Sequence, residues 1–301
     1  MTNTVPSAAA PPAPTGPAVS VRESDSSALA AFFSAHASLF VLTGAGVSTA
    51  SGIPDYRDRN GRWKGAEPIR GQVFRRDAGA RRRYWARSFA GWPRVAAARP
   101  NAAHGALAAL ERAGLVRQLV TQNVDGLHQR AGSQRVLDLH GRLDQVDCLD
   151  CGARLARERM QQMLAAANPG VRPASPARSA PDGDVLLGVD AEDGFVVPSC
   201  PECGGLLKPS VVFFGENVPR PRVERAFARL DASAGLLVVG SSLTVFSGYR
   251  FCLHAAKRGM PIALLNRGRT RADELAALKL DADCGAVLGA VAACLSAGSG
   301  S

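Results

Sequence analysis

The run Leu39-Phe40-Val41-Leu42 leads directly into Thr43-Gly44-Ala45-Gly46-Val47-Ser48, and nothing else in the 301 residues restricts the fold as strongly. Four consecutive large apolar residues have the length and composition of a buried strand. Glycines at 44 and 46 permit a tight turn and a close backbone approach to a ligand, and a helix starting there would point free amides at it. Strand, glycine turn and helix together form a phosphate-binding arrangement; a glycine turn with no ligand is the alternative. Further strands are expected at Gln118–Thr121, Val136–Leu139, Val211–Phe214, Leu236–Val239 and Ile262–Leu265. Helical patterns at Ala102–Ala113 and Pro221–Asp231 fall between several of them, so the chain reads as α/β, a mainly parallel sheet covered by helices.

Composition removes other classes. A chain with 46% hydrophobic and 21% charged residues is neither wholly disordered, collagenous nor a bare coiled coil. No stretch approaches the ~20 apolar residues of a membrane helix, so no membrane partner is expected. Lys and Arg outnumber Asp and Glu by 36 to 26, which favours acidic ligands through steering; nucleic acid is not an expected partner on charge alone. Part of the excess is local, because Arg75, Arg76, Arg81, Arg82, Arg83 and Arg87 crowd one segment, as a solvated helix face or a functional one. Residues 1–27 are rich in Ala, Pro, Ser and Thr, with no apolar signal core and no arginine before Arg22. They are expected to be a disordered tail on a cytoplasmic protein.

Two regions break the alternation, from about Tyr56 to Pro100 and from Asp147 to Pro209, and both read as insertions forming a second lobe. The second holds Cys148-x-x-Cys151 and Cys200-x-x-Cys203, the pattern of a closed tetrahedral zinc site with four thiolate ligands. Such a site has no open position for water, so its single zinc ion would be structural. A redox disulfide pair or an iron–sulfur cluster is the alternative. Between the pairs, Asn168 to Asp193 reads as a long mobile loop, and Cys252 and Cys294 read as core residues of helices.

The glycine turn lacks the third glycine of a dehydrogenase fingerprint, since Thr49 stands there, and Lys64 occupies the place of the acidic residue about 20 positions on. That argues against hydride transfer. Polar clusters at Gly52–Arg57 and Thr121–His128, with His140-Gly141 closing the next strand, should converge with the glycine turn in one crevice at the carboxyl ends of the strands. His140 is carried there by an apolar strand with glycine behind it, which makes it a candidate general base.

Taken in order, GAGVS at 44–48, GIPDYR at 52–57, TQNVDGLH at 121–128, His140-Gly141, the four cysteines, KPSVVFFGE at 208–216, GSSLTV at 240–245 and Asn266 resemble the sirtuins. The likeness spans Leu39 to Cys284. RYWAR at 83–87, Gly91-Trp92-Pro93, PDGDV at 181–185 and SGYRF at 247–251 look like the class II branch of that family, in a bacterial form. The resemblance implies a Rossmann-like doubly wound parallel sheet with a smaller zinc-binding domain inserted. The larger domain would comprise 28–55, 101–146 and 210–296, the smaller 56–100 and 147–209, with a short tail at 297–301. It implies a protein lysine deacylase that consumes NAD+, moves the acyl group of an acyl-lysine protein or peptide to ADP-ribose, and releases nicotinamide.

Carried over residue by residue, the resemblance places pyrophosphate on Gly44, Ala45 and Gly46 with Ser48, and closes Gly240, Ser241 and Ser242 over the nucleotide. Asn123, Val124 and Asp125 would meet the nicotinamide and its ribose, with Gln122 beside them. Asp55, Tyr56 and Arg57 match the cofactor loop, with tyrosine where phenylalanine is commoner. Asn266, Arg267, Gly268 and Cys284 match the adenosine contacts, and His140 and Asn123 the catalytic pair. Tyr84 and Arg87 share the Tyr-x-x-Arg spacing that selects acidic acyl chains; a solvated charge on a basic helix is the alternative for Arg87. Phe214, Gly215 and Glu216 and, opposite them, Val245 match the edges that receive the substrate peptide, although Phe246-Ser247-Gly248 stands where the family often has proline. Acetyl, acidic acyl and lipoyl groups are all admitted as cargo, the last as delipoylation, and protein mono-ADP-ribosyl transfer is the second enzymatic reading.

Overall fold

The computed structural model describes residues 23–55, 68–171 and 194–297. Strands β1 (Leu39–Thr43), β2 (Val116–Thr121), β3 (Val136–Asp138), β7 (Leu236–Val239), β8 (Ile262–Leu265) and β9 (Leu278–Leu280) form one sheet in the order β3-β2-β1-β7-β8-β9. Every pairing in it is parallel. Its apolar runs are explained by burial on both faces. Because successive side chains alternate, Leu39 and Val41 of β1 join one core with Leu237, Val239, Ala263 and Leu265. Phe40 and Leu42 join the opposite core with Leu236, Val238, Ile262 and Leu264. Helices α1 (Glu23–Ala35), α4 (Ala102–Arg112) and α9 (Cys284–Ala297) cover the first face. Helices α7 (Arg220–Asp231) and α8 (Phe246–Lys257) cover the second.

The smaller unit is a three-stranded antiparallel sheet, β5 (Arg154–Ala156), β4 (Gly141–Cys148) and β6 (Leu207–Val211), with helices α2 (Gly71–Arg76), α3 (Ala78–Ala97) and α6 (Arg157–Ala167). Asp77 starts α3 by accepting the amides of Gly79 and Ala80. The core here contains Phe74, Tyr84, Trp85, Phe89, Met160 and Phe213. Arg157 is buried within it, its guanidinium over the rings of Trp85 and Trp92 and bonded to the carbonyl and hydroxyl of Ser88. Removal from water lowers its pKa to about 10, still far above neutrality, so the cation is held by ring faces and dipoles rather than by a carboxylate.

Several sequence expectations change. Helix α1 begins at Glu23, inside the stretch expected to be a tail. A strand at Val211–Phe214 is replaced by β6 at Leu207–Val211, in the smaller sheet; beyond it the chain turns at Gly215, φ +80°, and Glu216 accepts the Phe213 amide. The boundaries expected at 146 and 210 fall inside β4 and β6. Edge strand β9 carried no separate sequence signal. Asn168 opens no loose loop: it is buried, donates to the carbonyls of Leu164 and Val196 and accepts the Val196 amide, so it ties α6 to the far side of the insertion. Residues 172–193 of that expected loop lie outside the described residues. Cys252 is buried as expected, whereas Cys294 is exposed, on the outer side of α9. No helix among the described residues is long and apolar enough to cross a membrane.

Candidate active-site cleft and four-cysteine cluster

Strand β1 is the point where the sheet order reverses, with β2 on one side and β7 on the other, and a crevice opens beyond its carboxyl end. The glycine turn departs from expectation here. No α-helix follows it; the chain makes two single 3₁₀ turns, Ala45–Val47 and Thr49–Ser51. Gly44 is extended, φ −135°. A Cβ on Gly44 would lie 2.7 Å from that of Ser241, and one on Gly46 would lie 2.9 Å from the Gly240 carbonyl. The glycines therefore let two strand-end loops touch, and this shapes the floor of the crevice.

Gly44, Ala45, Gly46, Asp55, Gln122, Asn123, His140, Gly240, Ser241, Ser242, Val245, Asn266, Arg267 and Cys284 line one cleft of about 380 Å³. It continues into a pocket of about 70 Å³ through the shared Ala45, Gln122, Asn123, His140 and Phe214. Ser48, Val124, Asp125 and Tyr84 line that inner pocket. Gly268 lines neither cavity; its amide donates to Asp281 and its carbonyl accepts Lys279. Arg87, half-buried on α3, Gly215 and Glu216 are not among the described lining residues either. Tyr56 and Arg57 lie outside the described residues.

Hydrogen bonds fix the inner wall. Asn123 donates to the Gly44 carbonyl at 3.1 Å and the Ser48 hydroxyl at 3.0 Å, and Ser48 donates to Asp125 at 2.7 Å. Burial pushes the Asp125 carboxyl up, opposed by the Leu127 amide and the Ser48 hydroxyl. His140 Nδ1 lies 2.9 Å from the Gln122 carbonyl, which only accepts, so Nδ1 carries the proton. Nε2 then holds the lone pair, and the Ser247 hydroxyl donates to it at 2.8 Å. Burial lowers the His140 pKa to about 4, helped by Arg222 and Arg250, so the imidazole is a neutral acceptor at neutral pH.

Ser247, which falls in the SGYRF segment but has no site role on sequence grounds, is the side chain that reaches His140. Arg269, Thr244 and Leu243 also line the cleft unforeseen. Leu243 has φ +57°, a left-handed conformation costly for a branched side chain, and no sequence signal marks it.

The peptide-edge segment is held from behind. Glu216 pairs with buried Lys208 and with Arg75, each at 3.2 Å, and Phe214 accepts the Gly71 amide. Glu216 is thus directed away from the cleft, toward cations that hold Phe213 and Phe214 in place. One arginine of the basic segment is absorbed in this way.

The four cysteine sulfurs lie within 4.8 Å of one another. The pairs Cys148–Cys203 at 3.5 Å and Cys151–Cys200 at 3.9 Å bracket the ~3.8 Å edge of a tetrahedron with ~2.3 Å zinc–sulfur bonds. Four thiols this close cannot all ionise without a cation among them. The donor set fits zinc with no position left for water.

Three histidines sit in water-poor surroundings. His104 and His140 are lowered to about 4 and His128 well below its usual value, each chiefly by burial. The native chain keeps them neutral while the unfolded chain protonates them near 6.5. Stability is therefore fully present above about pH 6.5 and is lost as pH falls toward 4, at roughly 1.4 kcal/mol per pH unit for each protonating histidine. Thermal midpoints should fall steadily between pH 7 and pH 5; a flat profile there would contradict these three environments.

A family model, the Sir2 family, matches residues 44–247. A protein of Xanthomonas axonopodis pv. citri named NAD-dependent protein deacetylase is 60% identical over 257 residues, 85% of this chain and 87% of that one. Another of that name, from Bordetella bronchiseptica, is 57% identical over 270 residues, 90% and 98% of the two chains. Among solved structures, a Sir2 enzyme with a deacetylated p53 peptide and 3'-O-acetyl ADP-ribose matches with TM-score 0.71 at 29% identity, covering 88% of this chain and 96% of its own. A Sir2 homologue in complex with NAD matches with TM-score 0.69 at 30% identity, covering 90% and 94%. The fold and the cleft define a nucleotide-binding α/β enzyme with a four-cysteine module. The chain belongs to the Sir2 family.

Proposed function

We propose that this protein is a bacterial, cytoplasmic NAD-dependent protein lysine deacylase with one structural zinc ion. The observation that carries the reading is the meeting, in one connected cleft, of the two strand-end loops with Asn123 and a neutral His140. The relatives' names and the peptide and NAD complexes of the solved structures support it. NAD+ supplies an activated ribose carbon and a leaving nicotinamide.

The chain's own residues supply position and a base. Gly44, Ala45 and Gly46 face Ser241 and Ser242 across the cleft and are assigned the pyrophosphate. Asn266, Arg267, Gly268 and Cys284 are assigned the adenosine end. Gln122, Asn123, Val124 and Asp125 with Ser48 are assigned the nicotinamide end, where the Asn123 amide is already oriented by Gly44 and Ser48. Asp55, Tyr56 and Arg57 are assigned the cofactor loop. The apolar inner pocket around Phe213, Phe214 and Tyr84 excludes water from a reaction that builds positive charge on the ribose. His140 Nε2 takes the proton of a ribose hydroxyl, and the Gln122 carbonyl holds the opposite nitrogen protonated.

Tyr84 is buried against Phe74 and Phe213 in the wall of the inner pocket, and Arg87 lies one helical turn further along the same helix. We assign this pair the acyl end of the substrate, with preference for an acidic acyl chain, and Phe214, Gly215, Glu216 and Val245 the peptide edge. Nicotinamide release should be measured with one lysine peptide carrying acetyl, succinyl, glutaryl or lipoyl groups, for wild type and Arg87→Ala. Faster release with succinyl or glutaryl, lost in the variant by about tenfold or more, is expected. Equal release with every acyl group would remove the acidic preference. Release without any acyl-lysine would sink deacylation in favour of ADP-ribosyl transfer.

A further inference from the structure

A second cavity lies away from the proposed active site. It has a volume of about 1140 Å³ and opens beside edge strand β3, between α7 and the smaller sheet. Arginines reach it from three sides: Arg117 and Arg135 from the β2 and β3 ends, Arg142 and Arg154 from β4 and β5, and Arg222, Arg225 and Arg229 from α7. The last three are spaced i, i+3 and i+7, which puts them in one stripe along the helix. Asp138 is the one acid among the described lining residues.

Some of this charge has partners. Arg142 pairs with Asp144, Arg154 with Asp147 at 2.7 Å, and Arg222 donates to the Leu139 carbonyl at 3.1 Å. Among the described residues, Arg117, Arg135, Arg225 and Arg229 meet no carboxylate at ion-pair distance. They come from the β2 and β3 ends and from α7, so four arginines without a carboxylate partner line one cavity.

We propose that this cavity is a binding site for a linear chain of phosphates, an anion of the tripolyphosphate or longer polyphosphate class. Guanidinium groups match phosphate oxygens by paired donors. A single phosphate would fill little of a cavity of about 1140 Å³, whereas a chain can reach arginines of both elements. No aromatic side chain is among the described lining residues, so they offer no platform on which a base could stack, as single-stranded nucleic acid would require. The surface is concave, so it presents no helix or ribbon to a duplex groove. Gln145 and Ser210 add neutral polar groups to the lining, whereas the Gln118 amide is spent on the carbonyls of Leu119 and Arg135. The Asp138–Arg142 segment separates this site from the cleft that holds His140, so the site is distinct from the NAD cleft.

Titration calorimetry of the full-length protein with inorganic tripolyphosphate is the test, at several salt concentrations. Wild type should bind at one site. Arg225→Gln/Arg229→Gln on α7 and, separately, Arg117→Gln/Arg135→Gln at the β2 and β3 ends should each weaken binding by at least about tenfold and reduce the salt slope by about 2. The exposed pair Arg82→Gln/Arg83→Gln, with the same change in net charge, should stay within about twofold of wild type. NAD affinity should be unchanged in all three. Equal weakening in the Arg82/Arg83 control would reduce the effect to net charge, and inorganic phosphate binding as tightly as tripolyphosphate would overturn a chain ligand. A DNA duplex that competes with equal strength would make the cavity part of a nucleic-acid surface instead.

Discussion

Replacing Cys200 with serine is expected to unfold the smaller unit and strip the protein of zinc. Cys148 and Cys200 are buried and belong to the same core as Trp85, Met160 and Phe195. The two knuckles meet through the cluster, the pairing of β4 with β6, the Leu149 N to Leu206 O bond and the Leu206 amide donated to Asp150. A structural zinc ion contributes on the order of 10 kcal/mol to the folding of a small module, and losing one of four thiolates forfeits a large part of that. The effect should travel to the cleft. Phe213 and Tyr84 wall the inner pocket while packing on that core. Metal content by elemental analysis, thermal melting and NAD binding would be read together. The expected result is loss of stoichiometric zinc, a fall in melting temperature of well over 10 °C and weakened peptide-dependent turnover. Chelation of wild type should reproduce it. Full zinc content with normal melting would show that the four sulfurs do not hold the metal.

The contrast between what could and could not be read in advance has a physical basis. Leu39–Leu42, Leu236–Val239 and Ile262–Leu265 were legible because strands buried on both faces consist almost wholly of apolar residues, a signal independent of context. The cysteine spacing was legible because a tetrahedral ion demands it. Val211–Phe214 misled because an apolar run does not say which sheet it joins; Lys208 and Glu216, paired across the loop, end the strand early. The glycines at 44 and 46 were read as room for a ligand, whereas the contact partners are Gly240 and Ser241, nearly two hundred residues away and invisible to local pattern. The same holds for Ser247. A serine in an amphipathic helix start is unremarkable, and only the fold brings it within 2.8 Å of His140. The arginine stripe of α7 has no counterpart in the sequence analysis, because its meeting with Arg117 and Arg135 depends on strand order.

His140→Ala is expected to abolish acyl transfer, lowering kcat by about 10²–10⁴, while NAD remains bound. The imidazole is a base held in one tautomer: Gln122 accepts from Nδ1, and Nε2 is left as the sole acceptor. Removing it deletes proton removal from the ribose hydroxyl but none of the loop contacts around Gly44, Ser241 and Asn123. Titration with NAD should therefore give an affinity within a few-fold of wild type, and product analysis should show no acylated ADP-ribose. Loss of NAD binding would make His140 a structural residue. Ser247→Ala separates orientation from chemistry. The serine hydroxyl donates to the lone pair that the base uses and so helps fix the ring, while burial, the chief cause of the lowered His140 pKa, does not depend on it. A loss of kcat of about three- to tenfold, from a less fixed ring, is expected with the acid limb of the rate profile unmoved. Ser247→Thr, which keeps the hydroxyl, should restore the rate. An unchanged kcat in Ser247→Ala, or no recovery in Ser247→Thr, would assign Ser247 to packing alone.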